Sequence, residues 1–147
     1  MRILVLHGPN LNLFGRREPH IYGTMTLAEI NEKLQAQARE LKAELVVLQS
    51  NHEGVLLDLF HKHMDDADAA IINPGGLTQY SVSLHDCIKA MPFPVIEVHM
   101  SNRHTREDWR GHSIFSSAVK GTVEGFGWRS YVAALRLAVE LAQEKKK

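Results

Sequence analysis

Arg17 and Tyr22 stand five positions apart in a polar segment, 14–24, with glycines at 15 and 23 near its edges. A free phenol titrates near ~10 and is a poor base at neutrality. A guanidinium held against it favours the phenolate, so the pair suits a general base on a loop that closes to exclude water. The pair equally fits an exposed arginine and a surface-packed tyrosine. Glu97 and His99 lie two apart, which puts both side chains on one face of a strand. A carboxylate beside an imidazole orients the ring and favours its protonated form, as a general acid requires; a structural His–Glu pair has the same spacing. Asn10, Asn12 and Asn73 cannot titrate, but an amide can bind hydroxyls or hold a water against a developing oxyanion. Phenol base, imidazole acid and amide support are the parts needed to abstract a proton next to a carbonyl and expel a β-hydroxyl. That is the chemistry of a dehydratase.

Other chemistries find less in the chain. There is no G-x-x-x-x-G-K-[ST] phosphate loop. His61 and His63 fall two apart in a predicted helix and point in different directions, so no metal is expected there. Cys87 reads as a small buried apolar residue. Ser81 and Ser83 sit near a predicted helix start, where capping is the simpler role.

The elements that must position these groups follow from periodicity. Residues 3–6 are a short apolar run, the pattern of a strand buried on both faces of a parallel sheet. Thr26 and Glu29 form a capping box. Leu27, Ile30, Leu34, Ala38 and Leu41 then recur on one stripe, predicting a helix over 27–41. Strands follow at 44–49, 69–72, 93–98 and 119–124. Apolar stripes in 55–64, 82–91 and 131–141 predict the intervening and final helices. Strict alternation of strand and helix implies right-handed crossovers and an α/β three-layer sandwich with helices on both faces. Five strands suit the flavodoxin-like order 2-1-3-4-5, and ligands then bind past the carboxyl ends of strands 1 and 3. Asn10, Asn12, Asn73, Glu97 and His99 should converge there, with segment 14–22 folding over them.

Composition sets the outer bounds. A chain of 147 residues, 44% hydrophobic, suits one domain, 1–147, with a substantial core. Seventeen basic and seventeen acidic residues cancel, which gives no footprint for nucleic acid. The charged tail, 144–147, reads as a solvated helix end. One cysteine excludes an intrachain disulfide framework. No apolar stretch has the length of a membrane span and no signal-peptide pattern is seen, so a cytoplasmic location is expected.

Five blocks carry a family resemblance: GPNLNLFGRREPHIYG (8–23), QSNHEG (49–54), NPGGLTQYS (73–81), IEVHMSN (96–102) and REDWRGHS (106–113). Through them the sequence resembles the type II 3-dehydroquinate dehydratases over roughly residues 3–141. The resemblance implies a flavodoxin-like, cofactor-free and metal-free lyase. It would dehydrate 3-dehydroquinate to 3-dehydroshikimate through an enolate, in the shikimate or quinate pathway. It also implies a homododecamer built of trimers. Carried over by position, Tyr22 matches the base, Arg17 the arginine that activates it, His99 the acid and Glu97 its partner. Asn10 matches the asparagine that positions a water on the enolate. Asn73 matches a substrate-binding residue. Met100 and Ser101 match the segment receiving the substrate carboxylate, and Arg110 an arginine on substrate hydroxyls. Asp86 matches an aspartate that reaches the neighbouring subunit's site.

The block 73–81 departs from the family pattern. Gln79 stands where a histidine contacts the substrate's ring hydroxyls; it still donates and accepts a hydrogen bond but carries no charge, which bears on affinity and specificity. His85 stands where an arginine belongs at the subunit boundary. These departures motivate a second reading, a catalytically weakened paralogue that binds a polyhydroxylated carboxylic acid. The intact Arg17, Tyr22, Glu97 and His99 argue against it. A flavin-binding reading rests on fold analogy alone.

Overall fold

The computed structural model describes residues 1–146. Lys147, the last residue of the expected solvated tail, lies outside them. Five strands, β1 (Arg2–His7), β2 (Glu44–Gln49), β3 (Ala69–Asn73), β4 (Val95–His99) and β5 (Gly121–Glu124), form one parallel sheet in the order β2-β1-β3-β4-β5. The helices are α1 (Pro19–Tyr22), α2 (Leu27–Glu40), α3 (Glu53–Lys62), α4 (Val82–Ala90) and α5 (Arg129–Lys145). The expected flavodoxin-like arrangement is therefore the observed one.

Alternation along the central strands feeds two cores. Ile3 and Val5 of β1 and Ile71 of β3 face α2 and α5, joining Ile30, Leu34, Tyr131 and Leu135. Leu4, Leu6, Ala70 and Ile72 face the other way, onto Leu56 and Phe60 of α3 and Leu84 and Ile88 of α4. Burial on both faces explains why these runs read as continuous apolar stretches. The capping box at α2 forms as expected: Thr26 Oγ1 accepts from Glu29 N–H at 3.2 Å, and Glu29 Oε2 accepts from Thr26 N–H at 2.8 Å.

The sheet differs from expectation at two strand starts. β4 begins at Val95, because Pro94 has no N–H for the ladder and contributes only its carbonyl, to Ala70 N–H. β5 begins at Gly121, because a 3₁₀ turn at Ile114–Ser117 runs on until Val119 N–H bonds back to Phe115 O. Among the described residues, no helix is long and apolar enough to cross a membrane.

At the carboxyl edge β1 and β3 end level, with His7 opposite Asn73. The chain then passes close enough that a Cβ on Gly8 would lie 2.7 Å from Pro74 O, so only glycine fits at this crossing.

Candidate active site

β1, β3 and β4 all end at this edge, and a narrow crevice opens beyond them. Its volume is about 40 Å³, room for little more than one water. Leu11, Phe14, Arg17 and Tyr22 wall one side, Asn73 and Gln79 another, and His99, Met100, Ser101 and Arg110 a third. Eight of the residues expected at the site thus meet in one place. Two further arginines, Arg103 and Arg106, also line it. Four guanidiniums around so small a space favour an anionic occupant.

Tyr22 ends the single turn α1, which starts after Glu18 in a left-handed conformation (φ 37°) and stops at Gly23 (φ 80°). Pro19 opens the turn without losing a needed N–H. The phenol ring packs on Phe14, and the Arg17 guanidinium lies 4.9 Å from its centroid. Arg17 stacks on the ring and does not donate to the hydroxyl. The donor is Arg106, whose Nη1 reaches Tyr22 Oη at 2.7 Å and Ser101 Oγ at 3.3 Å. Sequence reasoning missed Arg106: it sits in a run of polar residues with no periodicity, 84 positions from its partner.

The opposite wall is built on the sheet. Glu97 is fully buried and His99 is 7% exposed. His99 Nε2 lies 2.7 Å from Glu97 Oε2, and Ser113 Oγ donates to Glu97 Oε1 at 2.8 Å. Arg103 Nη2 approaches the same carboxylate at 3.6 Å while its Nε donates to Glu124 at 2.6 Å. Burial by itself would raise the Glu97 carboxyl. The His99 and Ser113 hydrogen bonds and the Arg103 charge outweigh it and hold the group below the ordinary carboxylate range. Glu97 therefore stands behind His99 as a buried carboxylate and does not itself line the crevice.

Three expected residues lie elsewhere. Asn10 and Asn12 flank Leu11 but are exposed; Asn10 takes a left-handed conformation (φ 69°), and its N–H donates to Asn51 Oδ1 at 2.9 Å. Asp86 lies on the exposed side of α4, paired with His85 at 3.0 Å, away from the crevice of its own chain. Gln79 turns its amide nitrogen to the backbone carbonyls of Arg110 and His112, at 3.4 and 3.3 Å. Two carbonyls at that atom assign it as nitrogen, so Oε1 is a buried acceptor with no protein partner.

On the far side of the Tyr22–Arg106 contact lies a second, open groove of about 770 Å³, which shares Tyr22, Met100, Ser101 and Arg106 with the crevice. That contact is the partition between the two spaces.

The family model described as Dehydroquinase class II matches residues 1–139. A 3-dehydroquinate dehydratase of Pelotomaculum thermopropionicum is 51% identical over 97% of this chain and 99% of its own. One from Halothermothrix orenii is 46% identical over 97% of each. Among solved structures, the type II dehydroquinase of Butyrivibrio crossotus superposes with a TM-score of 0.92 at 34% identity, covering 94% of this chain and 97% of the other. The Propionibacterium acnes type II dehydroquinase gives 0.91 at 38%, covering 95% and 96%. Sequence and fold agree over nearly the whole chain, and the protein belongs to the class II dehydroquinase family.

Proposed function

We propose that this chain dehydrates 3-dehydroquinate to 3-dehydroshikimate through an enolate, with Tyr22 as base and His99 as acid. The observation that carries the reading is the pairing of opposed groups across one crevice: a phenol oxygen held by Arg106 at 2.7 Å, and an imidazole held by Glu97 at 2.7 Å. The cations at Tyr22 stabilise negative charge on its oxygen as it forms, which lets it take the proton next to the ketone. Arg17, stacked on the ring, adds to that field. The enolate oxygen meets a water that Asn10 positions once the loop rearranges around substrate. His99, with Nε2 committed to Glu97, uses Nδ1 to protonate the departing β-hydroxyl. Met100 and Ser101 receive the substrate carboxylate, beside the guanidinium of Arg106. Asn73, Arg110 and the free Oε1 of Gln79 bind ring hydroxyls. No metal or cofactor has a part in this scheme.

The crevice is too small for a cyclic polyhydroxy acid, so the Tyr22–Arg106 contact must part on entry and re-form around the substrate. Asp86, exposed next to Tyr80 and Val82 at the start of α4, supports a role in a neighbouring subunit's crevice within a trimer, four of which make a dodecamer. A cytoplasmic setting accords with the single free cysteine.

The test is to follow the conjugated enone absorbance after mixing the purified protein with 3-dehydroquinate. Turnover is expected. No rate above background, with binding still measured by calorimetry, would sink the enzyme reading and leave the weakened paralogue that binds a polyhydroxylated acid. A monomer in size-exclusion chromatography with light scattering would overturn the proposed assembly and leave Asp86 without its role.

A further inference from the structure

Asn73 ends β3 at the crevice with the orientation of its amide decided by two neighbours. Gly75 N–H donates to Oδ1 at 3.1 Å, so the other amide atom is the nitrogen, and Nδ2 donates to the Tyr131 hydroxyl at 2.8 Å. A hydroxyl has one proton of its own to place. Having accepted from Asn73, Tyr131 directs that proton to His7 Nδ1, 3.2 Å away. His7 is then the tautomer with its proton on Nε2, which donates to Asn31 Oδ1 of α2 at 2.9 Å. The bonds run in one direction, Asn73 to Tyr131 to His7 to Asn31, and reversing any one leaves two donors or two acceptors face to face.

The surroundings keep both middle groups neutral. His7 and Tyr131 are fully buried. Burial drives the His7 imidazole down to about 4, against the raising effect of its Asn31 bond. It pushes the Tyr131 phenol well above its usual range, despite the bond from Asn73. Neither group has a place in the acid–base scheme above, and β1, β3 and α5 each supply one member.

We infer that Tyr131 and His7 are positioning residues that hold the Asn73 amide with its second N–H presented to the crevice, toward an oxygen of the bound substrate. The inference rests on the dehydratase reading only for the identity of that substrate. Without Tyr131 Oη, the Asn73 nitrogen has no acceptor on its inner side, and the amide, held by the Gly75 N–H alone, loses its fixed direction. Without an acceptor at His7, the Tyr131 proton swings toward Asn73 and opposes its donor. Tyr131 is also the largest fully buried side chain, so packing is the competing account of it.

The experiment is a set of variants read by kinetics and crystallography. Tyr131→Phe removes one oxygen and is expected to raise KM for 3-dehydroquinate about tenfold with kcat within about threefold, since a contact to bound substrate serves ground and transition states alike. In an Asn73→Ala background the same change should add less than about twofold, because the residue acts only through Asn73. His7→Leu should reproduce the Tyr131→Phe effect. His7→Asn, which can place an acceptor near the position of Nδ1, should restore most of the affinity. An unchanged KM in Tyr131→Phe, or full additivity with Asn73→Ala, would overturn the inference in favour of packing. The crystal structure of Tyr131→Phe tests it without substrate: a shifted or disordered Asn73 amide is expected, and an ordered, unmoved one overturns it. If wild type shows no turnover while that amide loses its position in the variant, the dehydratase reading fails and the positioning role stands.

Discussion

The two walls of the crevice are made in different ways. The side to which the proposed mechanism assigns the acid is part of the sheet. Glu97 and His99 belong to β4, flanked by β3 and β5, and the carboxylate is gripped by His99, Ser113 and Arg103. The base side is a loop. Tyr22 ends one short helical turn between two left-handed residues, one of them the non-glycine Glu18. Its hydroxyl is held by a single hydrogen bond from another loop. Strand backbone cannot shift without breaking ladder bonds on both sides, whereas a loop moves at the cost of a few contacts. In the proposed mechanism the acid is thus set before substrate arrives, and the base is delivered by loop closure. The left-handed backbone at Glu18 lies on the half that the proposed mechanism requires to move.

This contrast can be broken from either side. The largest expected effect is on the base. Tyr22→Phe should lower kcat by on the order of 10³-fold while leaving substrate binding within a few-fold; near-wild-type turnover would show that Tyr22 is not the base. Next comes a stability effect confined to the sheet half. His7 is buried with its imidazole lowered to about 4, while an unfolded histidine titrates near ~6.5. As pH falls through that window the unfolded chain takes a proton that the folded chain refuses. Stability present above pH ~6.5 is therefore lost toward pH ~4, by roughly 3 kcal/mol in all. Denaturant titrations across this range should show the loss, and His7→Asn should flatten its share of the slope.

Smaller effects separate the holders of the two groups. Arg106→Met should lower kcat/KM about 30-fold, because it removes both the donor to Tyr22 and charge near Ser101. Ser113→Ala should cost only about threefold, since Glu97 keeps its bonds to His99 and Arg103. Equal losses in the two variants would erase the distinction between a base held by one contact and an acid held by several. The smallest effect is at Gln79. Gln79→His should lower KM about two- to threefold, and an unchanged KM would mark the glutamine as a neutral replacement.

Much of the architecture was legible in advance because it depends on local pattern. All five strands lie within two residues of the bounds read from apolar runs flanked by polar or proline residues, and the α2 start follows from one capping box. Alternation then led to strand order, and strand order to the edge where the site lies. What escaped has a common character. The turn α1 is four residues long, too short to show periodicity. Arg103, Arg106 and Ser113 fall in a polar stretch of 3₁₀ turns, where nothing distinguishes one cation or hydroxyl from another. His7 read as the residue after an apolar run, and Tyr131 as one more position on a helical stripe.

By itself, then, the sequence determined the α/β alternation, the edge at which chemistry would sit, and the residue types able to do it: Tyr22, Glu97, His99 and Asn73 each announce themselves by type and spacing. Tertiary structure alone decided which group holds which. It placed Arg106, not Arg17, on the phenol oxygen. It left Asp86 outside its own chain's crevice and ran a buried hydrogen-bonded chain from Asn73 to Asn31. The physical reason is range. Helix and strand patterns are set by neighbours three or four residues apart, whereas these partners are brought together only when β1, β3, β4 and α5 pack, and no local pattern encodes the pairing.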